Sequence, residues 1–182
     1  MFAKILKYGT IAGLVVGSVL FGMTVAFAEH PPIEYGMLIG YASMLIALSA
    51  IFVGVKRQRD EVGGGVIGFW PALGMGLGIS LVASILYVLA WEAAIAVTGS
   101  DFAATYTQHL IEQQRAAGAS EAALTQMRAE LDAFAVQYAN VWFRMGITFT
   151  EIFPVGALVS LVAAGLLRNP RFLAVRQRST SR

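Results

Sequence analysis

The chain has 182 residues, 57% of them hydrophobic and 13% charged, with a net charge of +2. Soluble domains carry about 25% charged residues, so half that share, together with long apolar runs, marks an integral membrane protein. There is no cysteine, which excludes disulfides, thiolate metal sites and cysteine nucleophiles, and two histidines are too few for most histidine metal sites.

The first apolar run covers 8–27, follows Lys4 and Lys7, and ends in Ala26-Phe27-Ala28. Ala26 and Ala28 occupy the small-residue positions that a signal peptidase needs, yet the run exceeds the roughly 7–15 residues of a signal's apolar region. Gly9, Gly13 and Gly17 recur every four residues, a smooth face for another helix that a discarded signal does not need. Retention is the expectation and cleavage after Ala28 the alternative.

The second run covers 33–55, after the turn that holds Pro31 and Pro32, and carries Gly36 and Gly40 in a seam of small residues. A polar loop, KRQRDEVGGG, occupies 56–65. Its triple glycine lacks the lysine and hydroxyl of a phosphate loop and reads as a hinge. The third run covers 69–92, with Pro71 suited to a first turn and Gly74 and Gly78 as further small residues. Trp70 and Trp91 stand 21 residues apart, about 31 Å along a helix, the spacing of aromatic belts at two interfaces.

Residues 99–141 form the only long polar stretch. Gly99-Ser100 reads as a stop and an N-cap, and Gly118-Ala119-Ser120 as a turn and a second N-cap ahead of Glu121. Leu124, Met127, Leu131, Phe134, Tyr138, Val141 and Met145 then recur at steps of three and four. That stripe predicts one unbroken helix running into the fourth span, packed against a helix bearing Phe102, Tyr106 and Leu110. The fourth span covers 142–167, with Pro154 inside it and Gly156 on its small face, and the tail 168–182 begins Arg168-Asn169-Pro170. The expected fold is an all-α membrane protein, one domain over 1–182. Its four transmembrane helices carry a helical hairpin on the outer side, between the third and the fourth.

Orientation follows from where Lys and Arg fall. Ten lie on one side (Lys4, Lys7, Lys56, Arg57, Arg59, Arg168, Arg171, Arg176, Arg178 and Arg182) and three on the other (Arg115, Arg128 and Arg144). Both termini are therefore expected in the cytoplasm, with the hairpin outside. Lys56, Arg57, Arg59, Arg168, Arg171, Arg176 and Arg178 read as membrane-surface cations.

Ionisable residues near the membrane are functional hypotheses by default. Glu34, Glu92, Arg144 and Glu151, with His30, fall at one depth near the outer surface, and seven residues put Arg144 and Glu151 on one helix face. Snorkelling and mutual pairing is the plain reading; a polar pocket for a small cation is the sharper one. A relay lacks a partner carboxylate at the midplane. Nothing resembles a nucleophile elbow, an HExxH helix or a dinucleotide fingerprint, so no enzymatic activity, cofactor, metal or nucleic-acid partner is expected.

KYGTIAG at 7–13, YASMLIALSAIFVGVKRQRDEVGGGVIGFWPALGMGLGI at 41–79, YTQHLIEQQRAAGAS at 106–120 and TFTEIFPVGALVSLVAA at 148–164 resemble bacterial membrane proteins grouped as domain of unknown function 4199. The resemblance implies a four-span membrane protein with an outer hairpin and supports a retained first helix; the expected place is the bacterial inner membrane. It assigns no role to the matching Arg57, Arg59, Asp60, Glu61, Glu92, Glu151, Pro154 and Gly156. Near Pro71 the family leads one to expect a more polar residue than FWPALGMG provides at 69–76. The leading functional expectation is a structural or accessory protein acting through a protein partner or self-association. The rival is transport or cation binding through Glu34, Glu92, Arg144 and Glu151.

Overall fold

A computed structural model describes residues 1–28, 33–99 and 102–174. It holds six helices: α1 Phe2–Ala26, α2 Ile33–Glu61, α3 Phe69–Thr98, α4 Phe102–Ala116, α5 Glu121–Tyr138 and α6 Val141–Leu167. Four of them are long and apolar enough to cross a membrane: α1, α2 from Leu38, α3 and α6. No strand occurs among the described residues.

The helices outrun the apolar stretches that predicted them. α1 begins at Phe2 and α2 continues through Glu61, because Lys-Arg-Gln-Arg-Asp-Glu has good helix propensity and the Lys56–Asp60 pair links successive turns. The loop expected at 56–65 therefore shrinks to 62–68, opening at the Val62-Gly63-Gly64 turn. α3 begins after Gly68, which leaves Pro71 in the first turn as expected, and ends at Gly99, whose φ of 84° favours glycine.

α3 is the centre of the bundle, packed on α1 at one side and α6 at the other, while α2 closes the ring between α1 and α6. Met44, Leu48, Ile51, Met75, Ile79 and Ile152 form the middle of the apolar core. Lipid gives these helices no hydrophobic reason to associate, so close backbone approach decides the packing. A Cβ at Gly9 would come 2.6 Å from Val82 Cβ, one at Gly13 2.7 Å from Leu86 Cβ, and one at Gly17 3.0 Å from Ala90 Cβ. The four-residue glycine face of α1 is thus its contact with α3. Across the other side of α3, Gly76 receives Ser160 and Gly156 receives Ser80. Gly78 meets Ile5, Gly36 is half-buried, and Gly40 and Gly74 have open space before them.

The hairpin of α4 and α5 buries Ile111 and Leu124, and α5 leans on α6. Ser120 caps α5 by accepting from Ala123 N–H at 3.3 Å, as its position predicted. The unbroken helix expected from 124 into the fourth span is not formed. α5 ends at Tyr138 and α6 begins at Val141, because the Asn140 side chain takes the first free N–H groups of α6, accepting from Trp142 at 2.9 Å and Phe143 at 3.4 Å. An Asn side chain that bonds its own backbone in this way favours a cap over a helix interior. The apolar stripe is periodic through the break, which is why periodicity alone missed it.

Candidate functional site

α3 has 30 residues, about 45 Å of helix against roughly 30 Å of hydrocarbon, so its last turns reach the headgroup layer at the hairpin end. Glu92 lies there near the C-terminus of α3, and Arg144 lies just inside the N-terminus of α6. Arg144, in the first turn of α6, is placed against its own helix dipole. It tolerates that position by meeting Glu92. Arg144 Nε donates to Glu92 Oε1 at 2.8 Å and Nη2 to Oε2 at 2.6 Å, the fork geometry that makes guanidinium–carboxylate pairs strong.

The remaining Arg144 nitrogen, Nη1, donates to the Tyr138 carbonyl at 3.2 Å, satisfying an orphan acceptor at the end of α5. The guanidinium carbon also stands 5.8 Å from the Tyr138 ring centroid, within cation–π range. Trp91 Nε1 donates to the Tyr138 hydroxyl at 2.7 Å. Burial pushes the Tyr138 phenol above its ordinary pKa, while the Trp91 hydrogen bond and the Arg144 charge pull it back. With 13% and 20% of the side-chain surfaces of Arg144 and Glu92 exposed, this four-residue node ties α3, α5 and α6 together. Each Glu92 oxygen thus accepts one guanidinium hydrogen bond.

The other candidates stand apart from the node. Arg144 turns to α3 rather than along its own helix to Glu151. Glu151 is exposed and lies beside the Tyr87 hydroxyl. Of Glu34 only its place in the first turn of α2 is described, and His30 is outside the described residues. Among the described residues no three His, Cys, Asp or Glu side chains gather as a metal site requires.

At the opposite end the basic residues divide. Lys56 pairs with Asp60, while Arg57, Arg168 and Arg171, read from the sequence as surface cations, are exposed; Arg176, Arg178 and Arg182 lie outside the described residues. Arg59 departs from that expectation: it is 0% exposed. Its Nε donates to Asp60 at 2.7 Å, and its Nη1 and Nη2 to the carbonyls of Phe172 at 2.7 Å and Leu173 at 2.9 Å. The chain beyond α6 folds back over it, with Leu173 at a φ of 49°, and Phe172 sets its ring edge-on to Phe52 at 6.4 Å. Nearby, Lys4 Nζ meets Glu61 at 2.8 Å and joins α1 to α2. The four-residue spacing of Lys56 and Asp60 signalled their pair, but nothing local signalled that a distant turn would cover Arg59.

The hairpin also roofs a cavity of about 380 Å³ beside the node. Ile95 and Tyr138 supply apolar wall, Thr107 and Gln108 come from α4, and Arg128 and Asp132 come from α5. The polar pocket expected at this end was built from Glu34, Glu92, Arg144 and Glu151, and of these Arg144 is among the residues that line the cavity.

Among curated proteins and among solved structures nothing matches the chain significantly. Residues 7–169 match the family described as "Protein of unknown function (DUF4199)". With most of its length covered by that match, and four membrane-length helices in place, the chain belongs to the DUF4199 family.

Proposed function

We propose that this protein is a structural or accessory component of the bacterial inner membrane, with both termini in the cytoplasm. In this reading it works by associating with another membrane protein or with copies of itself, and it is not an enzyme. The closed Glu92–Arg144 pair carries the proposal. The strongest charges at the hairpin end are spent on fixing the hairpin to the bundle, which suits a platform that presents a surface. The ten-to-three distribution of Lys and Arg supports the orientation. A transport or cation-binding role for Glu34, Glu92, Arg144 and Glu151 has less support. Two of the four occupy each other, and α3 and α6 carry no acidic or basic side chain from 69 to 91 or from 152 to 167.

On α5, Val136 is 77% exposed and faces away from the bundle, which makes it a probe that leaves the fold alone. Native mass spectrometry of the full chain extracted in mild detergent should show a stoichiometric complex, and Val136→Glu should reduce its occupancy about tenfold or more. A chain that runs alone, or a complex indifferent to Val136→Glu and to equivalent changes along α5, would overturn the reading.

A further inference from the structure

The cavity under the hairpin has a volume within the range of small-molecule sites, and its charge pattern is specific. Arg144 reaches its wall but is neutralised by Glu92. Arg128 and Asp132 have no ion-pair partner among the described residues, although they lie one turn apart on α5. Residues at that spacing hold their Cβ atoms about 5–6 Å apart. Among the described residues the cavity therefore offers one unpaired cation and one unpaired anion, side by side, which sum to no net charge. A lone anion or a lone cation would meet one favourable and one unfavourable neighbour.

We infer that this cavity binds a compact zwitterion, its anionic group on Arg128 and its ammonium on Asp132, with Thr107 and Gln108 as neutral hydrogen-bonding partners. The Ile95 and Tyr138 walls suit the carbon atoms between or behind the two charges. Depth narrows the chemistry to a phosphoethanolamine type of group. Ile95 is on the part of α3 that extends past the hydrocarbon, and Trp142, 78% exposed at the start of α6, marks an interface position at the same end. A zwitterionic lipid headgroup and the free zwitterion share this chemistry.

The test uses the full chain in nanodiscs of phosphatidylglycerol alone, titrated calorimetrically with sn-glycero-3-phosphoethanolamine, the net-neutral phosphodiester form of the headgroup. In parallel, native mass spectrometry follows the chain released from nanodiscs containing phosphatidylethanolamine. Saturable one-to-one binding of sn-glycero-3-phosphoethanolamine, weakened about tenfold or more by Arg128→Gln and by Asp132→Asn, supports the free zwitterion as source. One phosphatidylethanolamine retained per chain and lost in both variants, without binding of the free headgroup, supports the lipid. Binding of neither probe, or binding that both variants leave unchanged, overturns the inference. Both side chains are exposed, and circular dichroism verifies that the hairpin stays helical in each variant.

Discussion

Arg59 and Arg144 both leave bulk water, and each is tolerated because every side of its guanidinium has an acceptor. For Arg144 the acceptor is a carboxylate one helix away, and removing it would strand a desolvated cation. For Arg59 two acceptors are backbone carbonyls of the turn after α6, so the residue works as a clamp on that turn. Its burial is complete, and hydrogen bonds to a charged group contribute about 1.5–3 kcal/mol each. Arg59→Ala should therefore destabilise the protein by about 3–5 kcal/mol and free the 168–173 turn. Trypsin cleavage at Arg171, followed in detergent, should accelerate in the variant, and Arg59→Lys should only partly restore protection because an ammonium lacks the planar fork. Unchanged cleavage would mean that Phe172 on Phe52 holds the turn unaided.

At the scale of elements, the four spans were legible because a membrane helix must be about 20 apolar residues long, and caps at Ser120 and Gly99 were legible because their chemistry is local. The helix break at Asn140 was not, since an apolar period of three and four persists across it. The packing of α1 on α3 rests on three glycines with no spare room. Gly13→Leu would drive a side chain into Leu86, and overpacking of this kind costs about 1–3 kcal/mol or more. Unfolding in mixed detergent micelles should show that loss, whereas Gly40→Leu, facing open space, should leave the single chain's stability within about 0.5 kcal/mol. Equal destabilisation by both would show that a second surface covers α2.

For the molecule as a whole, the membrane-facing design predicts that both chain ends share one side and the α4–α5 turn occupies the other. The natural chain has no cysteine, so single labels report cleanly. Ala117→Cys in intact cells should react with a membrane-impermeant maleimide, and Ser179→Cys should react only after lysis. The reverse pattern would invert the topology. The intact mass of the same samples tests retention of 1–28, whose glycine face is engaged with α3.

Length, apolar periodicity and charge placement by themselves determined that this is a four-span helical membrane protein with a polar hairpin, because those constraints act on each segment alone. They also marked Glu92 and Arg144 as unusual, since a charge near hydrocarbon is costly wherever it points. Which charges meet was left to the tertiary structure. Arg144 finds Glu92 across 52 positions and Arg59 finds Phe172 across 113, separations that no local pattern encodes. The pairing of Gly76 with Ser160 and Gly156 with Ser80 likewise depends on how two helices are rotated about their axes. That rotation is set by the fit of whole faces, and only the folded bundle decides it.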